Sequence, residues 1–220
     1  MGYSAIIIGA TGLCGSVLLE KLLQNEQYDS VITLSRKRIN HQNPKHKNYI
    51  VDLFDPSTYV NHLYGDHLFI CTGTTQSKTP DKAEYYKIEH DLPLLVAQQA
   101  KDNEISTVIA ISALGANPES RFLYNRGKGE MERDIKDLNF KAAYFVQPAL
   151  ISGPRDEKRP FESMWKKVQK LIDPLLVGPL KKYRSIAPKT IATAMIRIAL
   201  HGYEKSRIES DELIQIANVK

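Results

Sequence analysis

The segment that decides the fold runs from residue 3 to residue 15 and reads Y-S-A-I-I-I-G-A-T-G-L-C-G. Its first half, Tyr3–Ile8, is a short apolar run ending in three isoleucines, which is typical of a buried strand in a parallel sheet. Its second half places glycines at positions 9, 12 and 15, and apolar residues at helical spacing follow over Leu13–Gln24. Strand, glycine-rich turn and helix in this order predict a turn whose backbone can approach a pyrophosphate.

Each glycine of this turn has its own expected task. Gly9 allows the tight turn, Gly12 lets the backbone approach the phosphates, and Gly15 lets the helix pack close to the strand. The start of the helix adds backbone N–H groups and the positive end of the helix dipole. The alternative is a glycine-rich turn without a ligand, and the position of the turn at the start of a β-α-β pattern favours the binding site.

The rest of the first 150 residues alternates between strand and helix patterns. Further strands are predicted at Ser30–Leu34, Tyr49–Leu53, His67–Cys71, Thr107–Ser112 and Ala143–Val146. Long helices are predicted over Thr79–Lys101, bent near Pro93, and over Pro118–Leu138 with Asn117 as the cap. This alternation predicts an α/β fold with a doubly wound parallel sheet. Together with the glycine turn, it predicts the Rossmann type that binds NAD(P).

The chain after Pro148 differs in composition from the first 150 residues, because it is rich in proline and basic residues. Helices are predicted near Phe161–Ile172 and Lys189–His201, and a last short strand at Leu213–Ile216. We interpret residues 1–220 as one domain in which about 152–188 form a small cap on the substrate side. Three apolar residues share a face of the first of these helices and are either part of the core or the wall of a substrate pocket: Phe161, Met164 and Trp165.

Composition excludes several classes of protein. The chain has 220 residues, a net charge of +5 and 42% hydrophobic residues, which is the balance of a globular protein rather than a disordered one. Cys14 and Cys71 form no C-x-x-C pair, so we expect reduced thiols and no structural metal. No basic region followed by a long apolar stretch opens the chain, and from this we expect a cytoplasmic location and no membrane association.

The end of the second strand discriminates between nicotinamide cofactors. An acidic residue there would bind the ribose hydroxyls of NAD, but the chain has Ser35-Arg36-Lys37-Arg38. Three cations would attract a 2′-phosphate, so NADP(H) is predicted over NAD(H); a solvated basic loop is the alternative. Asp52-Leu53, beside the third strand, is expected to border the adenine.

A possible catalytic set follows the fifth strand. Tyr124 and Lys128 are four residues apart and therefore share a helix face, while Ser112 ends the strand. A carbonyl reductase must deliver a proton to oxygen as hydride reaches carbon, and an ammonium beside a phenol makes the phenol easier to ionise. Ser112 is expected to hold the carbonyl oxygen, and Lys128 to reach the nicotinamide ribose as well. Gly127 and Gly129 flank Lys128, which indicates a close approach to this helix.

Together these residues resemble the short-chain dehydrogenase/reductase superfamily in its atypical, extended-like branch, and are similar to the small oxidoreductases related to the Tat-interacting protein. The matching segments are Gly9–Gly15, Cys71–Thr75, Ser112–Ala116 and Phe122–Glu130. The resemblance implies a pyrophosphate site at Gly9, Thr11, Gly12, Leu13 and Gly15, with Arg36 on the 2′-phosphate. It also implies that Thr72, Gly73 and Thr74 line the middle of the cofactor, that Pro148 touches the nicotinamide, and that Ser112, Tyr124 and Lys128 are catalytic.

One departure from the superfamily pattern concerns a proton relay. Many members have an Asn on the long helix, and the corresponding stretch here is Ile88-Glu89-His90-Asp91. The predicted function is nevertheless an NADPH-dependent oxidoreductase that acts on a small carbonyl or alcohol. The alternative is an NADP(H)-bound sensor with vestigial activity; a nucleotide-sugar enzyme is disfavoured because little chain follows the sixth strand. We expect a small-molecule substrate and no nucleic acid partner, and a homodimer remains open.

Overall fold

The computed structural model describes residues 2–153 and 176–219, and in this part of the chain seven strands form a parallel sheet. The strands are β1 (Tyr3–Ile8), β2 (Tyr28–Ser35), β3 (His46–Ile50), β4 (His67–Ile70), β5 (Thr107–Ile111), β6 (Ala142–Gln147) and β7 (Arg207–Glu209). Their order across the sheet is β3-β2-β1-β4-β5-β6-β7. The order reverses between β1 and β4, and in such sheets the crevice at the reversal is where ligands bind. The predicted doubly wound parallel sheet is confirmed.

Helices cover both faces of this sheet. They are α1 (Leu13–Gln24), α2 (Lys82–Tyr86), α3 (Leu92–Asp102), α4 (Leu123–Asp137), α5 (Pro188–His201) and α6 (Ser210–Asn218), with a π-helical segment (Lys87–Asp91) between α2 and α3 and short 3₁₀ turns at Pro56–Thr58, Val60–His62 and Gly178–Tyr183. Two apolar clusters result, because alternate strand residues point to opposite faces. Ile7 packs with α1 and α5, whereas Ile6 and Ile8 pack with α3 and α4.

The third strand lies earlier in the chain than its apolar pattern predicts. The prediction was Tyr49–Leu53, but β3 is His46–Ile50, at the edge of the sheet beside β2. An edge strand is only half covered, so its polar residues can pair with β2 while the apolar run that follows packs elsewhere. Val51 and Leu53 are buried in the loop after β3, within the cluster on the α3 side.

The helix before β6 starts later than predicted, at Leu123 rather than at Pro118. Asn117 does not cap it: its side chain instead accepts the backbone N–H of Glu119, 3.0 Å away, within a turn. The turn crosses directly over α4, where a Cβ on Gly129 would lie 2.3 Å from the carbonyl carbon of Asn117. The close approach expected beside Lys128 is therefore real at Gly129.

The last predicted strand is wrong. Leu213–Ile216 belongs to α6, and β7 is the preceding Arg207–Glu209. The deciding feature is a capping box, in which Glu209 and Glu212 bond each other's backbone N–H groups and start a helix. The helix predicted over Lys189–His201 is confirmed as α5. The helix predicted near Phe161–Ile172, its apolar stripe and most of the proposed cap lie outside the described residues.

The long helix predicted over Thr79–Lys101 is formed by α2, the π-helical segment and α3. The irregularity lies just before Pro93: the N–H of Leu92 bonds the carbonyl of Lys87, five residues back. Pro93 has no N–H to continue an α-helical ladder, which permits the wider turn. Of the helices described, none has the length and apolarity needed to cross a membrane.

Candidate active site

Two adjoining clefts open along the carboxyl edge of the sheet, at the reversal between β1 and β4. The nucleotide-side cleft has a volume of about 570 Å³ and the catalytic-side cleft a volume of about 950 Å³. All the site residues predicted from the sequence line one or both of them except Gly15. They are Gly9, Thr11, Gly12, Leu13, Arg36, Asp52, Leu53, Thr72, Gly73, Thr74, Ser112, Tyr124, Lys128 and Pro148.

The glycine turn is formed by backbone approaching backbone. Gly9 has φ +79°, a left-handed conformation, and a Cβ there would lie 2.5 Å from the carbonyl carbon of Cys71. A Cβ on Gly15 would lie 2.1 Å from the carbonyl oxygen of Gly9. Gly15 thus allows α1 to pack against the turn and does not face the clefts. Helix α1 begins at Leu13. Its N-cap residue is Gly12, so no side chain bonds the first backbone N–H groups of the helix at this position.

The nucleotide-side cleft is lined by side chains of both charges. Arg36 is exposed directly after β2 and lines the cleft. Asp52 and Leu53, in the loop after β3, line the same cleft, and the Asp52 carboxylate accepts the N–H of Phe54 at 2.9 Å. The guanidinium is therefore placed at the end of the second strand, where the sequence pattern located a 2′-phosphate contact.

The catalytic-side cleft brings Ser112, Tyr124 and Lys128 together. Ser112 directly follows β5, and α4 presents Tyr124 and Lys128 from successive turns. Tyr124 is 39% exposed, whereas Ser112 and Lys128 are buried. The Lys128 ammonium donates to the carbonyl oxygen of Ile111 at 3.1 Å, which ties the lysine to the end of β5.

Lys128 also forms a buried ion pair that sequence reasoning missed. Its Nζ lies 2.9 Å from Oε2 of Glu89, on the π-helical segment. The other carboxylate oxygen, Oε1, accepts the backbone N–H of Thr74 at 2.6 Å. Burial by itself disfavours the charge of Lys128, but the negative charge of Glu89, with Tyr124 and Glu132 nearby, outweighs it and raises the pKa of the lysine.

Ser112 is held by a second buried carboxylate. Its hydroxyl donates to Oε1 of Glu132, and the same oxygen accepts Nε2 of Gln147 at 2.8 Å. Oε2 of Glu132 pairs with Nε of Arg207, on β7, at 2.6 Å. Because the Ser112 hydroxyl already donates its hydrogen bond to Glu132, its oxygen can only accept a hydrogen bond from a group in the cleft. A carbonyl bound there receives a hydrogen bond from Ser112 only if the hydroxyl turns away from Glu132.

The positions of the two carboxylates differ in how well they could be predicted from the sequence. Glu132 stands four residues after Lys128 and eight after Tyr124, so helical spacing alone places the three on one face. The local sequence does not indicate that Glu89 is buried near Lys128, because it lies in a strongly charged stretch of the kind that is typical of a solvated surface. The clue was its position, in the stretch where the superfamily resemblance leads one to expect an Asn.

The residues present fit a nicotinamide dinucleotide. The turn ends at the start of α1, where Gly12 and Leu13 line the cleft and no side chain caps the helix, so the first backbone N–H groups of α1 are suited to bind a pyrophosphate. Thr72 lines both clefts, and its Oγ1 is buried without a hydrogen-bond partner among the described residues. A buried hydroxyl without a partner is costly, so this atom is suited to bond a ligand that spans the two clefts.

The family of the chain follows from a match to a family model. The model of the NAD dependent epimerase/dehydratase family matches residues 5–162, which include the glycine turn, Ser112, Tyr124 and Lys128.

The curated relatives of the chain include fungal proteins whose names describe them as mitochondrial. Protein FMP52, mitochondrial, of Saccharomyces cerevisiae is 32% identical over 160 residues, which cover 71% of this chain and 69% of the relative. The Aspergillus fumigatus protein of the same name is 36% identical over 166 residues, with coverages of 71% and 70%.

Solved structures share the fold at low sequence identity. The UDP-N-acetylglucosamine 4-epimerase of Methanobrevibacter ruminantium superposes with a TM-score of 0.69 and 17% identity, over 97% of this chain and 80% of the epimerase. MoeE5 in complex with UDP-glucose and NAD superposes with a TM-score of 0.68 and 14% identity, over 97% and 80% of the two chains. At this level of sequence identity, the similarity to these structures shows a shared fold alone.

The predicted cytoplasmic location is wrong, because these fungal relatives are named as mitochondrial proteins. The prediction depended on not finding a leader pattern, and the residues of a folded domain do not encode a compartment. The membership in the short-chain dehydrogenase/reductase superfamily is confirmed.

The family match, the fold of the solved epimerases and the shared cleft of Ser112, Tyr124 and Lys128 lead to the same result. The chain belongs to the NAD dependent epimerase/dehydratase family, and it is an NAD(P)-dependent enzyme of the short-chain dehydrogenase/reductase type.

Proposed function

We propose that the protein is an NADPH-dependent oxidoreductase that interconverts a small carbonyl compound and its alcohol. The observation that carries this proposal is the continuity of the two clefts: Arg36 lies at one end, the glycine turn in the middle, and Tyr124 beside Lys128 at the other end. The fit of Thr72 and the glycines to a dinucleotide supports it. A bound NADPH would supply the hydride to the carbonyl carbon.

Tyr124 is proposed as the proton donor to the carbonyl oxygen. Its phenol is partly exposed in the catalytic-side cleft, where a small substrate can reach it. The Lys128 ammonium, one turn further along α4, stabilises the phenolate that remains after the proton is transferred. Ser112 orients the same oxygen once its hydroxyl has turned from Glu132 towards the substrate.

The preference for NADPH is proposed from charge. Arg36 is exposed at the nucleotide-side cleft, and no acidic side chain stands beside it in the segment Ser35–Arg38. A guanidinium can bind a 2′-phosphate through two hydrogen bonds, whereas it gains less from a neutral ribose hydroxyl.

The test is turnover of aldehydes, ketones and quinones with NADPH, repeated on Tyr124→Phe. This variant should lose at least about 100-fold in turnover, because the phenol proton is missing, while its affinity for NADPH changes less than about threefold. Tyr64→Phe is the matched control, since Tyr64 is an exposed tyrosine shortly before the start of β4, at the other edge of the sheet, and lines neither cleft; it should behave as the wild type.

Two results would contradict the proposal. Unchanged turnover in Tyr124→Phe would remove Tyr124 from the reaction. A protein that binds NADPH tightly and turns over no carbonyl or alcohol would instead be a cofactor-bound sensor, in which occupancy of the clefts sets the binding of a partner.

A further inference from the structure

Glu89 is a buried carboxylate between the cofactor-lining loop and the proposed catalytic pair. Its side chain is 2% exposed and that of Lys128 is 4% exposed, and the two are 2.9 Å apart. Glu89 also faces Gly73, where a Cβ would lie 3.5 Å from Oε1, and it accepts the N–H of Thr74. The carboxylate therefore links the loop after β4 to the lysine on α4.

The helix that carries Glu89 is locally remodelled at this position. The π-helical segment Lys87–Asp91 adds a residue to the turn that holds Glu89, immediately before Pro93. Such segments are rare and often occur at functional sites. The neighbouring His90 bonds the carboxylates of Asp91 and Asp134, whereas Glu89 pairs with Lys128.

We propose that Glu89 is a positioning residue for the Tyr124–Lys128 pair: it holds the ammonium of Lys128 in place and offsets part of its charge. This inference rests on the proposed function, in which Tyr124 is the proton donor. A protonated tyrosine is the form that a reductase needs, and an ammonium without a counter-ion would promote loss of that proton. Glu89 keeps the pair in its proton-donating form.

The charges around Tyr124 and Lys128 determine whether removal of Glu89 raises or lowers the pH at which the pair loses its first proton. Besides Glu89, the titratable groups that interact with Lys128 or Tyr124 in the described part of the chain include Glu132 on α4, Tyr85 on α2 and Cys71 after β4. Deleting one negative charge makes every nearby proton easier to remove, whichever member of the coupled pair loses its proton first. The first proton of the pair must therefore leave at lower pH without Glu89.

The experiment is an NMR titration of protein labelled with ¹³C at the tyrosine ring carbon that bears oxygen. The Tyr124 signal is assigned by its absence in Tyr124→Phe. In Glu89→Gln, the first step of this signal should move down by about one pH unit. Glu89→Asp keeps the charge and should move it by less than half as much, and Glu130→Gln, which removes a carboxylate bonded to Tyr86, should leave it unchanged.

An unchanged midpoint in folded Glu89→Gln overturns the proposal. If that variant does not fold, ¹³C-labelled glutamate in Lys128→Met provides the test, with the Glu89 signal assigned from Glu89→Asp. Loss of the ammonium 2.9 Å away should move the carboxyl ¹³C signal of Glu89 at neutral pH, and an unmoved signal would again overturn the proposal.

A kinetic readout separates this inference from the proposed function. With a carbonyl substrate and NADPH, activity should fall at high pH as the pair loses its first proton, and in Glu89→Gln this fall should begin about one pH unit lower. A purely structural role for Glu89 would lower the rate without moving the profile. If no carbonyl is turned over, the proposed function fails while the NMR titration still decides the role of Glu89.

Discussion

The two ends of the candidate active-site cleft are built by different means. At the nucleotide end, the glycine turn brings backbone against backbone: Gly15 approaches Gly9 within the turn, and Gly9 approaches Cys71, directly after β4. At the other end, two buried carboxylates hold the proposed catalytic side chains: Glu89 pairs with Lys128, and Glu132 accepts a hydrogen bond from the Ser112 hydroxyl. These partners come from the π-helical segment, α4 and the end of β5, and Glu132 is in turn held by β6 and β7.

The difference shows what each half tolerates. A backbone cradle has no room for a side chain, so a single added methyl group can disrupt it. A buried charge network is sensitive to the loss of a partner instead, because the remaining donors and charges are left in a poorly solvated place.

The largest effect is expected at the nucleotide end. Gly15→Ala would place a Cβ 2.1 Å from the carbonyl oxygen of Gly9, which neither backbone segment can avoid without moving. We expect a loss of about 3–5 kcal/mol in the free energy of unfolding, together with loss of NADPH binding. Urea unfolding and a nucleotide titration measure both.

Gly127→Ala is the control for this substitution. The nearest side-chain atom to a Cβ at Gly127 is in the ring of Tyr86, 3.7 Å away, which is ordinary contact. Because alanine favours a helix interior, this variant should be as stable as the wild type or more stable by up to about 1 kcal/mol. Equal losses in the two variants would show that steric contact is not what distinguishes the turn.

A smaller loss is expected at the catalytic end for Glu132→Ala. The hydroxyl of Ser112 and the amide of Gln147 would both lose their acceptor in a buried place, which costs about 2–3 kcal/mol. Arg207 is about half exposed and should contribute little to this loss.

Glu130→Ala is the matched comparison on the same helix. Its carboxylate bonds only the partly buried hydroxyl of Tyr86 among the contacts described, so the loss should stay below about 1 kcal/mol. Urea midpoints for both variants make the comparison. A Glu132→Ala protein as stable as Glu130→Ala would mean that the buried network does not hold the catalytic end together.

The smallest effect concerns the cofactor preference. Arg36→Ala should weaken NADPH binding by about 10- to 30-fold and leave NADH binding nearly unchanged, because only the contact with the 2′-phosphate is lost. Arg38→Ala removes an arginine side chain that does not line the cleft, so it should have little effect on the affinity for either nucleotide. Parallel titrations with the two nucleotides decide this, and equal weakening of both would place Arg36 elsewhere than on the 2′-phosphate.

Most of the fold could be predicted because its signals are local. The apolar run Tyr3–Ile8 and the glycines after it specify strand, turn and helix within a few residues. The errors arose where a distant contact overrides a local pattern. The β3 strand uses polar residues because it lies at the sheet edge, and Asn117 forms a turn because that turn must cross α4 at Gly129.

By itself, the sequence determined the parallel sheet, the glycine cradle and the shared face of Tyr124 and Lys128, since strand, turn and helix spacing follow from neighbouring residues. Only the tertiary structure decided which charges surround that face. Glu89 reads as a surface residue in the chain, and it becomes the counter-ion of Lys128 because a π-helical turn and the packing of α4 bring the two side chains together. An ion pair between distant segments has no local pattern, so folding has to bring its members into contact before it can be recognised.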